Sequence, residues 1–330
     1  MKKLFFLLAS VAMSVLSFGQ DNQLVWANGH LLYGTPIESI DSLTYDEMQD
    51  IDTLHLLFPR TLIKVVHDTV YIHDTVYVET DCRDEDDTPS AGIGAFSVSA
   101  DKQVTFSKGN LQYHPANNEW RFAPSQLDYI GEANSNCSST YNGWLDLFGW
   151  STSSTNFGVS TSTSSSNYSG SFVDWGTNQI GSDAPNTWRT LTDVEWEYLL
   201  NTRPNASSLK GIAQVNGVNG LILLPDNWTC PSGVSFKSGF HSNDGVDYYA
   251  AYQTFTVADW SKLESAGAIF LPAAGNRDAS YVYVVQRGGN YWSATEDTGN
   301  IKFFLFYSDE AYMYDAFRRR GLSVRLVKDL

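Results

Sequence analysis

The pattern of hydrophobic and polar residues changes several times along the chain, and its most uniform part is the start. Residues 4–16 are almost entirely apolar and follow two lysines, while Ser17 and Gly19 place small residues at the positions typical of a cleavage site. This layout is typical of a secretory signal peptide, and the run is too short to span a bilayer as a helix. We expect residues 1–19 to be a signal peptide and the mature protein to be exported, whether periplasmic, on the cell surface or extracellular.

A short unit with the pattern of a β-hairpin follows. Two apolar triplets, residues 24–26 and 31–33, flank Asn28 and Gly29, and Asn-Gly is a strong hairpin signal. Residues 37–45 then alternate between apolar and polar as a half-buried strand does. We expect residues 20–62 to form a small N-terminal β module.

The next segment contains an internal repeat of six residues, Val66–Tyr71 followed by Ile72–Tyr77. An even period and many β-branched residues predict an extended strand rather than a helix. His67 and His73 would lie about 20 Å apart on such a strand, so they cannot share a metal ion within one chain. We expect residues 63–90 to be this strand and an acidic linker, with self-association possible through residues 63–80.

The rest of the chain, residues 91–330, is predicted to be one α+β domain with few helices, short strands and long loops. Strand patterns occur at 104–107, 110–113 and 120–122, and residues 151–171 are mostly Ser, Thr, Gly and Asn, which is typical of a surface loop. The clearest helix begins after Thr192, where Glu195 completes a capping box, and it should end near Pro204. A second, shorter helix is predicted at 257–266, closed by Gly267.

Composition and charge restrict the partners. The chain is 42% hydrophobic and 18% charged, which is typical of a folded protein, and its formal net charge is −16. Such a field opposes binding to nucleic acid. No later apolar run reaches the length of a spanning helix, so we expect no membrane insertion. Of the three cysteines, Cys137 and Cys230 can pair in an oxidising compartment, whereas Cys82 lies in the acidic linker.

Two separated groups of motifs resemble known families. Residues 188–198 (WRTLTDVEWEY) resemble the R-L-P-T-x-x-E-W-E-Y helix start of formylglycine-generating-enzyme-like domains, although Thr190 and Leu191 depart from it. Residues 271–277, 289–296 and 320–325 are similar to the L-P-A-A-G-x-R, Y-W-S-S-T and G-F-S-V-R motifs of exported Bacteroidetes domains. Those domains include the fibrobacter-type paralogous domains and variable proteins diversified by retroelements.

The resemblance covers about residues 95–330 and implies a C-type-lectin-like fold. Within it, we expect Trp196 and Trp292 to belong to the core and Glu195 to act as a helix cap. Gly275, Gly289 and Gly321 should occupy backbone positions that other residues resist. Val324 and Leu326 should point inward on a closing strand, with Arg325 on its outer side.

In the retroelement-diversified relatives, the stretch around the last two motifs is the ligand-binding face, and the resemblance implies the same here. Tyrosines mixed with Asp, Asn and Arg are also what binding surfaces use, because they combine rigid area with polar tips. The predicted ligand-binding residues are Asp278, Tyr281, Tyr283, Arg287, Tyr291, Asp297, Lys302, Tyr307, Tyr312, Tyr314, Asp315, Phe317 and Arg318. Two alternatives stay open: Tyr312 and Tyr314 belong to an ordinary half-exposed strand, and the arginines at 318–320 only balance nearby carboxylates.

The same sequence lacks the usual signs of catalysis. It has no nucleophile elbow, zinc-protease motif or phosphate-binding loop. Formylglycine-generating enzymes use a cysteine pair near the C-terminus, and no cysteine follows Cys230. The calcium motifs of sugar-binding lectins are also missing. We therefore expect a binding protein for an extracellular protein or glycan, with no catalytic residues, metal or cofactor. The alternatives are a hydrolase or oxidase with an unrecognised site, and a structural component of the cell surface.

Overall fold

The computed structural model describes residues 22–27, 30–36, 94–150 and 157–330. The chain divides into two compact units, Met1–Asp87 and Thr88–Leu330. The predicted signal peptide, the strand at 37–45, the repeat strand at 63–80 and the acidic linker all lie outside the described residues. In the described part of the chain, no helix is both long and apolar enough to cross a membrane.

The first unit contains one described hairpin. Strand β1 covers Asn22–Ala27 and strand β2 covers His30–Pro36. They pair antiparallel, with Ala27 opposite His30 and a register shift between Val25 and Trp26. The hairpin prediction is therefore confirmed, since the strands end and begin on either side of the Asn-Gly pair.

Short strands dominate the second unit. They are β3 Phe96–Ser97, β4 Gln103–Phe106, β5 Leu111–His114, β6 Glu119–Phe122, β7 Lys210–Val215, β8 Val218–Leu223, β9 Thr254–Phe255, β10 Ile269–Pro272, β11 Asn276–Asp278, β12 Tyr281–Tyr283, β13 Gly289–Asp297, β14 Asn300–Phe306, β15 Ala311–Ala316 and β16 Val327–Asp329. Its α-helices among the described residues are α1 Asp193–Glu197, α2 Tyr248–Tyr252 and α3 Val257–Ser265. This content is that of an α+β domain with few helices, as predicted.

The strands form several small sheets rather than one large one. The largest has the order β10-β8-β7-β9, and the next two have the orders β13-β14-β15 and β16-β4-β3. Strands β5 and β6 pair with each other, as do β11 and β12. Every pairing of named strands is antiparallel except that of β7 with β9. Such a structure leaves much of the chain in connections, several of which border the site described below.

Both predicted helices begin at capping boxes. Thr192 accepts a hydrogen bond from the backbone N–H of Glu195, and the Glu195 carboxylate accepts one from the backbone N–H of Thr192. Helix α1 continues as a π-helical turn, Tyr198–Thr202, and stops before Pro204 as expected. Helix α3 begins with the equivalent box at Thr256. Capping of this kind satisfies backbone donors that the first helical turn leaves unpaired.

The sheet β13-β14-β15 separates two hydrophobic cores. On one side Phe304 and Phe306 pack with Trp196 in what we call the Trp196 core. On the other side Phe303 and Leu305 pack with Trp292 in the Trp292 core. The alternation of a β-strand produces this division, because successive side chains point to opposite faces. Both tryptophans are buried, which confirms the predicted core positions.

The prediction that Arg325 lies on the outside is wrong. Val324 and Leu326 are buried in the Trp292 core as expected, but Arg325 is also buried, on the other side of the segment. Its Nη2 donates to Gln126 Oε1 at 2.7 Å, and Gln126 Nε2 donates to Glu264 Oε1 at 3.0 Å. Burial lowers the pKa of Arg325 to about 10. The segment has no outer side, because packed structure covers both of its faces.

The possible disulfide is not formed either. Cys137 and Cys230 are both free, the first buried and the second exposed. Burial raises the pKa of the Cys137 thiol, although Arg277 partly offsets this. A buried thiol of this kind behaves as a small apolar side chain.

Candidate functional site

The candidate site includes β15, an edge strand of the sheet β13-β14-β15. Tyr312 lies opposite Leu305 and Tyr314 lies opposite Phe303, so both tyrosines share the sheet face of the Trp292 core. Their rings are 5.8 Å apart. Tyr312 packs against the core, whereas Tyr314 is 56% exposed. The half-exposed strand that we considered as an alternative is thus present, and it presents one tyrosine to solvent.

An open cavity of about 370 Å³ adjoins this face, and we call it the asparagine cavity. Its lining combines buried apolar side chains with polar and charged ones, a mixture that small-ligand sites also use. It is lined by Asn276, Asn290, Asn300, Phe303, Leu305, Tyr307, Tyr314, Asp315, Ala316, Phe317, Arg320 and Leu322. Four of the predicted binding residues, Tyr307, Tyr314, Asp315 and Phe317, therefore meet at one place.

The β11–β12 hairpin contributes a second aromatic pair. Asn276 lies opposite Tyr283 and Asp278 lies opposite Tyr281. Side chains directly opposite each other in an antiparallel pair lie on the same face, so both tyrosines share the face of the cavity-lining Asn276. Both are exposed, with ring centroids 6.4 Å apart. The hairpin therefore presents aromatic area next to the asparagine cavity.

A second cavity of about 410 Å³, the serine cavity, is also lined in part by Phe317. Its other lining residues are Ser166, Ser169, Gly170, Glu296, Gly299, Arg318 and Arg319. Phe317 is 60% exposed and lines both cavities. The two cavities are consequently neighbours that meet at Phe317.

The arginine run at 318–320 is paired with carboxylates. Arg318 forms an ion pair with Glu296 and donates to the backbone carbonyl of Gly170 at 2.7 Å. Arg319 and Arg320 lie 3.2 and 3.5 Å from opposite oxygens of Asp278. The second alternative for this run is thus supported, because all three guanidinium groups have a carboxylate partner. The pairs with Asp278 join the segment after β15 to β11, and the pair with Glu296 joins it to β13.

Three predicted residues form a separate ion-pair group. Lys302 lies 2.8 Å from Asp315 and 3.2 Å from Asp297. Hydrogen bonds to Asp315 and Asp297 raise the pKa of Lys302 above its ordinary value. Lys302 lies between Ile301 and Phe303 on β14, and both of these residues pack into the Trp292 core. The side chain of Lys302 therefore starts from the other face of the sheet. Exposed ion pairs of this kind contribute little to the free energy of unfolding. Here they connect β14 to β13 and to β15.

Arg287 borders the site through Tyr307. Its guanidinium is paired with Asp244 and lies 6.0 Å from the ring centroid of Tyr307. Tyr307 is half-buried and lines the asparagine cavity. Burial raises the pKa of Tyr307, so its hydroxyl is neutral at physiological pH and can donate a hydrogen bond. Arg287 therefore lies beside the ring of Tyr307 and is not itself part of the lining of the asparagine cavity.

The prediction that Tyr291 belongs to the binding face is wrong. Its side chain is completely buried, and its hydroxyl donates to the carbonyl of Pro272 at 2.8 Å. It belongs to the Trp196 core and lies opposite Phe304. Tyr291 precedes Trp292 on one strand, so the two must face opposite sides, and both sides of this sheet are covered.

Sequence reasoning missed several residues that the structure brings to the cavities. Asn276 occupies the one unspecified position of the L-P-A-A-G-x-R motif, which is a usable signal for a variable surface residue. Ser166 and Ser169 come from the loop predicted at 151–171, more than a hundred residues earlier in the chain. No local pattern identifies such a contribution, since it depends on how the loop packs.

The two cavities are lined mainly by amides, hydroxyls, aromatic rings and paired charged groups. Their lining includes neither His nor Cys, and the carboxylates of Asp315 and Glu296 are each paired with a cation. Among the described residues, no group of three or more His, Cys, Asp or Glu is arranged to hold a metal ion. The buried Asp146 has its pKa raised to about 6, but it lines neither cavity. The site offers amides, hydroxyls and aromatic rings.

Comparisons of the chain with protein-family models, with curated proteins and with solved structures gave no match. The function of the site is therefore inferred from its own geometry.

Proposed function

We propose that this chain is an exported, non-catalytic binding protein that holds an extracellular protein or glycan at the asparagine cavity and its aromatic rim. The observation that carries the proposal is the position of Tyr314 and Phe317. Both are large aromatic side chains, more than half exposed, and both line an open cavity whose lining also includes buried apolar side chains. Exposed aromatic anchors around a concave site are typical of recognition surfaces.

The proposed architecture is a C-type-lectin-like domain over residues 91–330. Support comes from the roles of the motif residues: Trp196 and Trp292 are core, and Glu195 caps α1. A rigid scaffold of this kind leaves the segments between the motifs free to form a binding surface. Export is supported by the signal-peptide pattern of residues 1–19 and by the acidic composition.

The double variant Tyr314→Ala/Phe317→Ala tests this function. We expect it to lower affinity for the ligand about thirtyfold or more, because loss of aromatic anchors that a ligand buries typically costs about 2 kcal/mol or more. The melting temperature should stay within a few degrees, since both rings are mostly exposed. The measurement is binding of purified protein to arrays of extracellular proteins and glycans, followed by titration of each hit.

Val194→Ala is the matched control, because Val194 is 71% exposed on α1 and lines neither cavity. It should bind as the unmodified protein does. Unchanged binding in the double variant would contradict the proposed site, and its unfolding would show that the two rings are structural.

A further inference from the structure

The two cavities share one lining residue, an arrangement that suits a chain-like ligand extending from one cavity into the other. The asparagine cavity and the serine cavity have volumes of about 370 and 410 Å³, and Phe317 belongs to the lining of both. The guanidinium of Arg319 lies 5.1 Å from the centroid of the Phe317 ring and supports it. A ligand that fills both cavities must cross this ring, so its middle part needs an apolar face.

The charges around the cavities favour an uncharged ligand. Arg318 is paired with Glu296, and Arg319 and Arg320 are paired with Asp278. An anionic ligand would have to displace these carboxylates, and it would approach a chain whose formal net charge is −16. A cationic ligand would meet the same arginines. Neither sign of charge finds an unpaired partner among these groups.

The uncharged lining groups are amides and hydroxyls. Asn290 already donates to the carbonyl of Gly275, Ser169 donates to the carbonyl of Ser166, and Ser166 shares a hydrogen bond with Ser164, which leaves acceptor oxygens at these positions. Asn276, Asn290 and Asn300 line one cavity, and Ser166 and Ser169 line the other. An amide offers a donor and an acceptor side by side, and a hydroxyl offers both at one atom. A ligand rich in hydroxyl groups matches this set, because each of its groups also donates and accepts.

From these three features we infer that the ligand is a neutral oligosaccharide chain, with sugar units in both cavities and one unit stacked on Phe317. This inference rests on the proposed function and specifies its ligand class. A sugar ring combines an apolar C–H face, which suits an aromatic ring, with hydroxyl groups at its edge. A peptide is the competing ligand, and the experiment separates the two.

The experiment is calorimetric titration of the purified protein with neutral oligosaccharides of one to six units, built from glucose, mannose, galactose or xylose in α and β linkages. At least one series should bind, with affinity rising about tenfold or more between the monosaccharide and the longer chains, because only the latter reach both cavities. Acidic oligogalacturonides of the same lengths should bind at least tenfold more weakly.

Two variants at Phe317 localise the effect. Phe317→Ala should remove the gain with length, whereas Phe317→Tyr keeps an aromatic ring and should retain it. Asn300→Ala should weaken every length about equally, since Asn300 lines only the asparagine cavity. Val194→Ala again serves as the control.

The titration results decide between a neutral oligosaccharide and the other ligand classes. Length-dependent binding of a neutral series that is lost in Phe317→Ala supports the inference. Preference for the acidic chains, length-independent binding, or no binding at millimolar concentration across the panel overturns it. If the neutral sugars fail but a peptide or protein from the arrays binds and is lost in Tyr314→Ala/Phe317→Ala, the proposed function stands and only the ligand class is wrong.

Discussion

Asp146 is a carboxylate without contact with solvent. Its oxygens accept hydrogen bonds from the backbone N–H of Ile130 and from Asn134 Nδ2, both at 2.8 Å. Burial nevertheless dominates and raises its pKa to about 6, against hydrogen bonds that lower it. The folded protein therefore holds a proton at Asp146 over a pH range in which the unfolded chain has released it.

Asp146→Asn should reveal this linkage. Because the folded pKa is above the unfolded value, the stabilisation from protonation is fully present below about pH 4 and is lost as pH rises through about 6. Between pH 4 and 7 the unmodified protein should lose free energy of unfolding relative to the variant, by at most roughly 3 kcal/mol. Urea unfolding at several pH values measures the difference. Parallel curves would contradict the assignment.

Burial of single residues was predictable from sequence only in part. Trp196, Trp292, Val324 and Leu326 are buried as their apolar character indicates. Arg325 was assigned to the surface because it alternates with core residues, and Tyr291 because it lies in the tyrosine-rich stretch that the resemblance implies is a binding face. Strand alternation shows that two residues face opposite sides, but it does not show whether the second side is also covered.

At the scale of elements, the start of α1 depends on a capping box that is tied to the end of the chain. Arg189 forms two hydrogen bonds of 2.8 Å with Glu195 and another of 2.7 Å with Asp329 of β16. The box at Thr256 is more exposed and has no such connection to another strand among its hydrogen bonds. The two boxes therefore differ in how much structure depends on them.

Thr192→Ala should lower the free energy of unfolding by about 1–2 kcal/mol, the upper part of the range for an N-cap. Thr256→Ala is the matched variant and should cost less, about 0.5–1 kcal/mol, because its cap is open to solvent. Chemical denaturation of both proteins at pH 7 gives the comparison. A larger loss for Thr256→Ala would show that the contacts of Glu195 add nothing to capping.

Elements with local signals were predictable, and their arrangement was not. The capping boxes and the Asn-Gly hairpin are encoded within a few neighbouring residues, and both are confirmed. The order β13-β14-β15 joins three consecutive strands, but it was not predicted, and neither was the position of this sheet beside Asn276 of β11. The asparagine cavity follows from that order, so only its tyrosine strand could be anticipated.

At the scale of the whole molecule, the structure indicates a fold that does not rely on a cross-link between Cys137 and Cys230. In a Cys82→Ser variant, a thiol reagent should label one cysteine of the native protein, the exposed Cys230. Cys137 should react only after unfolding, since it is buried and its thiol pKa is raised by burial. Mass spectrometry of the labelled protein identifies the site, and reductant should not change the melting temperature. Absence of any reactive thiol before reduction would indicate a disulfide instead.

The overall class and the C-terminal location of the site could be predicted, but the full extent of the site could not. The tyrosine-rich segments at 281–283 and 312–317 do adjoin one cavity. The serine cavity is lined in part by residues 166–170, and the composition of this segment predicted only a surface loop. A site formed by segments that are far apart in the chain can be identified only when the packing of those segments is known.

Phe303 and Phe304 are neighbours on β14, yet they belong to different hydrophobic cores. A local opening of β14 would expose both cores to water at once. Neither core can therefore unfold alone through the opening of this strand. The consequence is cooperative loss of structure: the helix packed on one side and the aromatic cavity on the other should share one unfolding transition. If the domain binds its ligand as proposed, ligand binding and folding are linked through this one strand.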